Sequence, residues 1–531
     1  MKKIATDIDD FEKLITGNYI YVDKTEYLSK IIEKGTYFFL SRPRRFGKSL
    51  FLDTIKSFYQ GKKELFEGLY IANKDWNWEK YPIIHLDFNE IQVNNKNILS
   101  KRIGEELDDI SKKNKINLDR DIIAAKFNEL IEKLYNKYNK RVIVLIDEYD
   151  KPIISHLGKD QNNINDKKHL QIAKENQQFL KIFYDNLKPL SEYLELVFMT
   201  GVSKFSKLSV FSTLNNLIEL DMHPEFSDRL GYTEGGVRDN FDEHFKEYAK
   251  VNNMKKEEVY EEFKRMYNGF RFSDEDVRVY NPFSIAKALD MKKIDNYWFE
   301  SGTPSFLIDL IKDKNYEIPK LANLEVVKSR LKAYDITRLQ LIPLLFQTGY
   351  LTIKEIEGNQ IYHLSYPNQE VEIAFSQNLL DELTDYKVKS SAIYRMKKAL
   401  LKEEYEKFID YMKSLFESIA NLNIPSKQSE RESYYHTIFY LTTELLADRE
   451  LKIDSELLTA RGRIDMVIES EDKVYIIEFK ANQSVKNALA QIKEKRYAEK
   501  YKLKDKEINL IAINFSIEKK NIEDYKVVNY K

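Results

Sequence analysis

Short apolar runs alternate with longer stretches of helical period along the first two hundred residues. Asp23 and Glu26 form a D-x-x-E capping pattern that predicts a helix over Tyr27–Lys34. The run Thr36–Leu40 reads as a strand and stops at Ser41-Arg42-Pro43, and a helical pattern follows from Lys48 to Tyr59. Pro82–Phe88 predicts a second strand, and 96–140 holds two helical stretches. Arg141–Ile146 predicts a third strand, Leu194–Met199 a fourth and Leu214–Leu220 a fifth. Continuously apolar strands separated by helices imply a parallel sheet covered on both faces, the three-layer sandwich of an α/β domain.

From about 225 to 420 the helical period dominates, broken at Pro304, Pro319 and Pro343, with a hairpin signal over Tyr350–Leu364 turning at Glu357-Gly358-Asn359. The polar stretch Asn421–Ser429 contains Pro425 and reads as a linker. The last block, 430–531, predicts the order helix, strand, strand, helix, strand. The expected domains are therefore 1–225, a mostly helical region 226–424, and a C-terminal α/β domain 425–531.

Composition narrows the chemistry. The 531 residues include no cysteine, which excludes disulfides, thiolate metal sites and a thiol nucleophile. The 7 histidines form no HExxH pair. With 85 Lys+Arg against 86 Asp+Glu the global field is neutral, so a surface for nucleic acid has to be a local patch. No apolar run approaches a membrane span, and acidic residues follow the basic start Met1-Lys2-Lys3, so the expected location is the cytoplasm with no membrane partner.

Residues 42–49, Arg-Pro-Arg-Arg-Phe-Gly-Lys-Ser, lie between a predicted strand and a predicted helix, where a phosphate-binding loop belongs. The pattern G-x-x-x-x-G-K-S is met except at its first position, where Arg42 replaces glycine. Arg44, Arg45, Phe46 and Gly47 would line the loop, Lys48 would reach the β- and γ-phosphates of ATP, and Ser49 would ligate Mg²⁺. The third predicted strand runs into Asp147-Glu148, an acidic pair that is costly at a buried strand end unless it has work to do. Asp147 is assigned to magnesium and Glu148 to general base. Thr200 and Ser203, after the fourth strand, are candidate sensors of the γ-phosphate. Arg229 is a candidate finger or sensor, with a surface ion pair as its simpler reading.

Near the C-terminus, Arg461–Ile468 and Lys473–Lys480 predict a hairpin closing on the four-residue turn Glu469–Asp472. That closure pairs 468 with 473 and 465 with 476. Asp465, Ile476, Glu478 and Lys480 then share one face, with the two carboxylates as diagonal neighbours. Adjacent carboxylates with a lysine suit a hard divalent cation, Mg²⁺ or Mn²⁺, with Lys480 either positioning or deprotonating the attacking water or stabilising the phosphorane-like charge. Gln491 and Lys495 follow at i, i+4 spacing on the next helix. The lysine-rich stretch 486–506, with Tyr497 and Tyr501 interleaved, reads either as a phosphate-backbone face or as a solvated amphipathic helix. Glu432 and His436 on the preceding helix are lesser candidates for an acid or metal site.

The spacing Asp-x₁₂-Glu-x-Lys resembles that of the PD-(D/E)XK nucleases. Tyr21-Val22-Asp23-Lys24-Thr25, Leu145-Ile146-Asp147-Glu148-Tyr149-Asp150, Thr200-Gly201-Val202-Ser203, Tyr267-Asn268-Gly269-Phe270, Tyr280-Asn281-Pro282-Phe283 and Arg461-Gly462-Arg463-Ile464-Asp465 join the loop at 41–49 in a wider resemblance. Together they resemble the prokaryotic family that joins an AAA-ATPase-like domain to a PD-(D/E)XK nuclease-like domain. The resemblance implies a phosphate-loop NTPase fold and ATP binding at the N-terminal end and a restriction-endonuclease-like fold at the C-terminal end. It also makes Arg42 a family trait. The expected function is an ATPase and Mg²⁺-dependent nuclease acting on nucleic acid, DNA in the first instance, in a chain open to homo-oligomer formation. The alternative is a nucleotide-regulated binding or signalling protein whose nuclease fold is not catalytic.

Overall fold

The computed structural model describes residues 1–531 except 92–94, 158–163, 205–213, 215, 229, 299–310, 312–317, 332–339, 359, 386–387, 420–427, 449, 460–461 and 531, and describes no side chain for 164–167, 428–430, 432, 455–459 and 462–463. Arg229, Pro304 and most of the expected linker lie outside the described residues. The chain divides into two compact units, one built on Met1–Asp313 with Glu325–His363 and Pro367–Glu370, the other on Val371–Lys531 with Lys314–Leu324 and Leu364–Tyr366.

The first unit holds a wholly parallel five-stranded sheet. Its strands are β1 (Tyr37–Ser41), β2 (Ile83–Asp87), β3 (Val142–Asp147), β4 (Leu194–Gly201) and β5 (Ile218–Glu219), in the order β2-β3-β4-β1-β5. β1, β3 and most of β4 are buried because helices cover both faces, which is why they read as apolar runs without alternation. β4 runs two residues beyond the predicted Met199, which brings Thr200 and Gly201 into the sheet. Of the predicted Leu214–Leu220, in which Asn215 lies outside the described residues, Ile218–Glu219 is strand. The helix predicted over 27–34 begins earlier, at Thr25, and the capping box does not form. Instead the Asp23 carboxylate accepts the Thr25 N–H and hydroxyl and the Tyr70 N–H, while Glu26 pairs with Lys30 one turn on. A second core in this unit comes from the helices Glu234–Val251, Lys256–Tyr267 and Pro282–Met291, which pack Phe241, Phe245, Phe263, Tyr267 and Ile285 against Ile20 and Val22.

The predicted hairpin is present as β7 (Thr352–Glu357) and β8 (Ile361–Ser365), which form a small sheet with β6 (Leu324–Val327) in the order β6-β8-β7.

The second unit contains a mixed sheet of β9 (Lys452–Thr459), β10 (Gly462–Glu469), β11 (Lys473–Ala481), β12 (Glu507–Ser516) and β13 (Asn521–Tyr530), ordered β13-β12-β11-β10-β9, with β11 and β12 parallel. Two of these strands, β9 and β13, are absent from the predicted order. Both are sheet edges that carry charged residues in their first halves, so their apolar signal is diluted. The helix Val485–Glu494 covers one face, packing Val485, Ala488 and Ile492 over Val467, Ile476 and Leu510. The other face is aromatic, with Phe479 and Phe515 against Phe416, Tyr435 and Phe439.

Candidate functional site

The loop 42–49 connects β1 to the helix Lys48–Tyr59, so it lies at the carboxyl end of the sheet, as β3 and β4 end beside it. Gly47 is the helix N-cap at φ +84, a conformation that favours glycine, and it leaves the first N–H groups of the helix open to an anion. Arg42 points inward instead of toward a ligand. It is 2% exposed, donates to the carbonyls of Ser41, Asp221 and Phe226, and lies 4.4 Å from the Phe272 ring. Burial lowers its guanidinium to about 10, with Asp221 opposing. A glycine is unnecessary at this position because the side chain has a built seat. Phe46 is likewise buried, edge-on to Phe270 and Phe272, so it anchors the loop by packing.

Lys48, only 4% exposed, directs its ammonium to the carbonyls of Arg42 and Pro43 at 3.1 and 3.2 Å and to Glu148 Oε1 at 3.2 Å. The lysine and the acid from the end of β3 thus meet. Asp147 is buried, and its Oδ1 accepts the Thr200 hydroxyl and the Glu148 N–H. Thr200 therefore orients Asp147. The Ser203 hydroxyl and N–H are committed to Asp150, which also accepts the Val202 N–H. Burial, with Glu148 nearby, pushes the Asp150 carboxyl up to about 6. Asp150 was visible in the sequence only as the last letter of Asp-Glu-Tyr-Asp, and its spacing alone gives it no partner.

Arg44, Arg45, Gly47, Lys48, Ser49 and Glu148 line a cavity of about 730 Å³. Ile4, Ile8, Val22, Tyr232, Phe241 and Phe283 supply apolar wall, and the Arg45 guanidinium lies 4.6 Å from the Phe283 ring. A cavity of this volume that combines cationic groups, open helix N–H groups and apolar wall fits a ligand with a polyanionic end and a flat apolar end. Ile4, Ile8, Tyr232 and Phe241 carry no motif, and their convergence with Val22 and Phe283 follows from packing.

In the second unit the hairpin register differs from the prediction by two residues. Ile468 pairs with Tyr475 and Met466 with Ile477, because Glu469 joins the strand and shortens the turn to Ser470–Asp472. A shift of two preserves the face, so Asp465 still shares it with Glu478 and Lys480. Asp465 Oδ2 accepts the Phe479 N–H at 2.8 Å. Glu478 is 0% exposed, and its Oε1 accepts Lys480 Nζ at 2.8 Å and the Gln491 amide. Its Oε2 is buried without a hydrogen-bond partner. Burial first and Asp465 second push the Glu478 carboxyl up to about 7. Gln491 also bonds the hydroxyl of Tyr497, which puts that phenol within the field of Glu478, Asp465 and Lys480.

Other candidates fall elsewhere. Tyr497 and Tyr501 are each 2% exposed and belong to the core, so they do not stud a binding face as the sequence suggested. The lysines 486, 493, 495, 500 and 502 are exposed, and Lys495 is the C-cap of the helix. His436 packs on Phe479, whose side chain points to the face opposite Glu478. The side chain of Glu432 is outside the described set.

Residues 5–211 match the family model described as predicted AAA-ATPase, and residues 430–525 match that of the PD-(D/E)XK nuclease superfamily. A protein of Azotobacter chroococcum mcd 1, named "Uncharacterized protein in vnfD 5'region", is 32% identical over 538 residues, covering 99% of both chains. The chain belongs to the family that joins an AAA-ATPase-like domain to a PD-(D/E)XK nuclease superfamily domain. Lys48, Asp147, Glu148 and Thr200 fall within its AAA-ATPase-like domain, and Asp465, Glu478, Lys480 and Gln491 within its PD-(D/E)XK domain. No helix among the described residues is long and apolar enough to cross a membrane.

Proposed function

We propose that this protein binds and hydrolyses ATP in its first unit and cleaves nucleic acid, DNA in the first instance, in its second. The observation that carries the nuclease reading is the Glu478 carboxylate, buried with one oxygen unpartnered beside Asp465 and Lys480. A buried carboxylate oxygen without a donor is costly, and a divalent cation relieves that cost. Mg²⁺ or Mn²⁺ would be held by Asp465 and Glu478 and would supply Lewis-acid polarisation of a phosphodiester. Gln491 and Lys480 hold Glu478 Oε1, which leaves Oε2 as the free ligand position. Lys480, whose burial is outweighed by Glu478 and Asp465 so that its ammonium stays protonated, contributes positive charge beside the reacting phosphate.

In the first unit Lys48 and the N–H groups at the helix start receive the phosphates of ATP, and the nucleoside enters the apolar hollow. Ser49 and Asp147 would hold Mg²⁺, with Asp147 oriented by Thr200. Glu148, adjacent to Lys48, accepts a proton from the attacking water.

The deciding experiment is cleavage of plasmid DNA by the full chain with Mg²⁺ or Mn²⁺, each with and without ATP. Metal-dependent cleavage lost in Asp465→Ala supports the reading. Absence of cleavage on every DNA and RNA tested, with nucleotide binding intact, replaces it by the non-catalytic binding protein.

A further inference from the structure

The phosphate loop is clamped from outside the cavity by a residue with no motif of its own. Trp298, 5% exposed and absent from the cavity wall, donates its indole Nε1–H to the Arg44 carbonyl at 3.1 Å across 254 positions of chain. A trans peptide is planar, so the C=O of Arg44 and the N–H of Arg45 point in opposite directions. Holding the carbonyl toward Trp298 therefore aims the Arg45 N–H away from it, on the side where Arg44 and Arg45 line the cavity. Arg45 itself sits at φ +67, a left-handed conformation unfavourable for a residue with a Cβ. A loop peptide next to such a residue needs an external tie to hold one orientation.

Trp298 is in turn held by Glu370. The Trp298 N–H donates to Glu370 Oε1 at 2.9 Å, and the Tyr297 N–H bonds the same carboxyl group. The Ser284 hydroxyl lies 3.0 and 2.8 Å from its two oxygens. Ser284 is itself fixed at the start of the helix Pro282–Met291, where Asn281 caps its N–H. Glu370 is fully buried, so this carboxyl group lies away from solvent with its partners inside one unit.

We propose that Trp298 is a positioning residue for phosphate recognition, holding the Arg44–Arg45 peptide so that its N–H faces the phosphates, and that Glu370 acts through Trp298. This rests on the nucleotide reading of the first unit. The loop has other ties. Arg42 and Phe46 fix it through their side chains and Lys48 holds the carbonyls of Arg42 and Pro43, whereas Trp298 takes the carbonyl of Arg44, whose partner N–H lies on the cavity side.

The test compares ADP, which carries phosphates, with adenosine, which does not, by calorimetry on the full-length protein alongside thermal melting. Trp298→Phe keeps an aromatic ring against Phe270 and Tyr350 but removes the donor. Expected is a loss of ADP affinity of about three- to tenfold, the range for one neutral hydrogen bond, with adenosine affinity and melting temperature near those of the parent. Glu370→Gln retains an acceptor for the two N–H groups and a donor for Ser284, and should keep the parent's ADP affinity. Glu370→Ala should lose ADP affinity, and no further when combined with Trp298→Phe. Unchanged ADP affinity in Trp298→Phe overturns the proposal, as does an equal loss for adenosine, which marks general damage to the cavity. Additive losses in the double variant overturn the part assigned to Glu370. A parent that binds neither ligand overturns the nucleotide reading itself, a result distinct from a binding parent matched by its variant.

Discussion

Glu148 has φ +51, in the left-handed region that residues other than glycine seldom occupy, and its N–H is held by Asp147 Oδ1 and Thr200 Oγ1. The twist turns its carboxylate toward Lys48, where a γ-phosphate and its attacking water would lie. Glu148→Gln should bind ATP as the parent does but release phosphate at least about a hundredfold more slowly, since the amide keeps the shape and takes no proton. Undiminished turnover would remove Glu148 from the mechanism. Glu370 offers a pH test of burial. Its carboxyl is raised from the ordinary 4.5 to about 8, by burial above all. Folding then takes up a proton between those values, so this group's contribution to stability falls as pH rises from about 4.5 to 8. Glu370→Gln has no such proton to lose, so the melting temperature of the parent should decline relative to the variant between pH 5 and pH 8. Parallel melting curves across that range would contradict it.

At the scale of elements, the ends of β3 and β4 are tied twice, Asp147 to Thr200 and Asp150 to the Val202–Ser203 backbone. Gly201 between them has no room for a side chain, because a Cβ there would lie 2.6 Å from the Tyr149 ring and 2.7 Å from Asp150 Oδ1. Gly201→Ala should destabilise the fold by about 1–3 kcal/mol, as overpacked sites do, and lower ATP turnover with it. Chemical denaturation and phosphate release measured on the same sample check both. The β10–β11 hairpin gives a different test. Asp465→Ala and Glu478→Ala should abolish cleavage and any rise in melting temperature with Mn²⁺, whereas Lys480→Ala should abolish cleavage yet keep the Mn²⁺ response. If Mn²⁺ stabilises none of the proteins and none cleaves, the cluster is an ion pair within a binding fold. The hairpin face was legible from alternation, but its register was not. Glu469 reads as a turn residue, yet it takes a place in the strand where Lys504 and Lys506 neutralise it from a distant segment.

For the whole molecule, each unit holds its own candidate site, and the proposed function requires both. If nucleotide drives cleavage, Lys48→Ala should lose ATP affinity about tenfold or more and reduce cleavage to the level the parent shows without ATP. Asp465→Ala should remove cleavage with or without ATP. Equal ATP stimulation in the parent and Lys48→Ala would separate the two activities. Lys486, Lys493, Lys495, Lys500 and Lys502 are exposed on the segment that also supplies Gln491. Replacing three of them by glutamine should weaken DNA binding and reduce its salt dependence.

The strands of the parallel sheet, the glycine–lysine–serine turn into a helix, the acids ending β3, and the shared face of Asp465, Glu478 and Lys480 are all written in the order of the residues. These are local properties, because burial on both sides of a strand, a left-handed N-cap and two-residue alternation are written within a few positions. What each side chain meets is set by the packing of the folded chain. Arg42 finds its carbonyls at Asp221 and Phe226, Trp298 reaches back to Arg44, and Gln491 closes on Glu478. The apolar cavity wall is assembled from Ile4, Tyr232 and Phe283, which share no local pattern. Edge strands β9 and β13 also waited for the structure, since a strand paired on one side can be as polar as a loop. Periodicity reports which face a residue turns inward, and partners hundreds of residues away are set by how the buried faces pack.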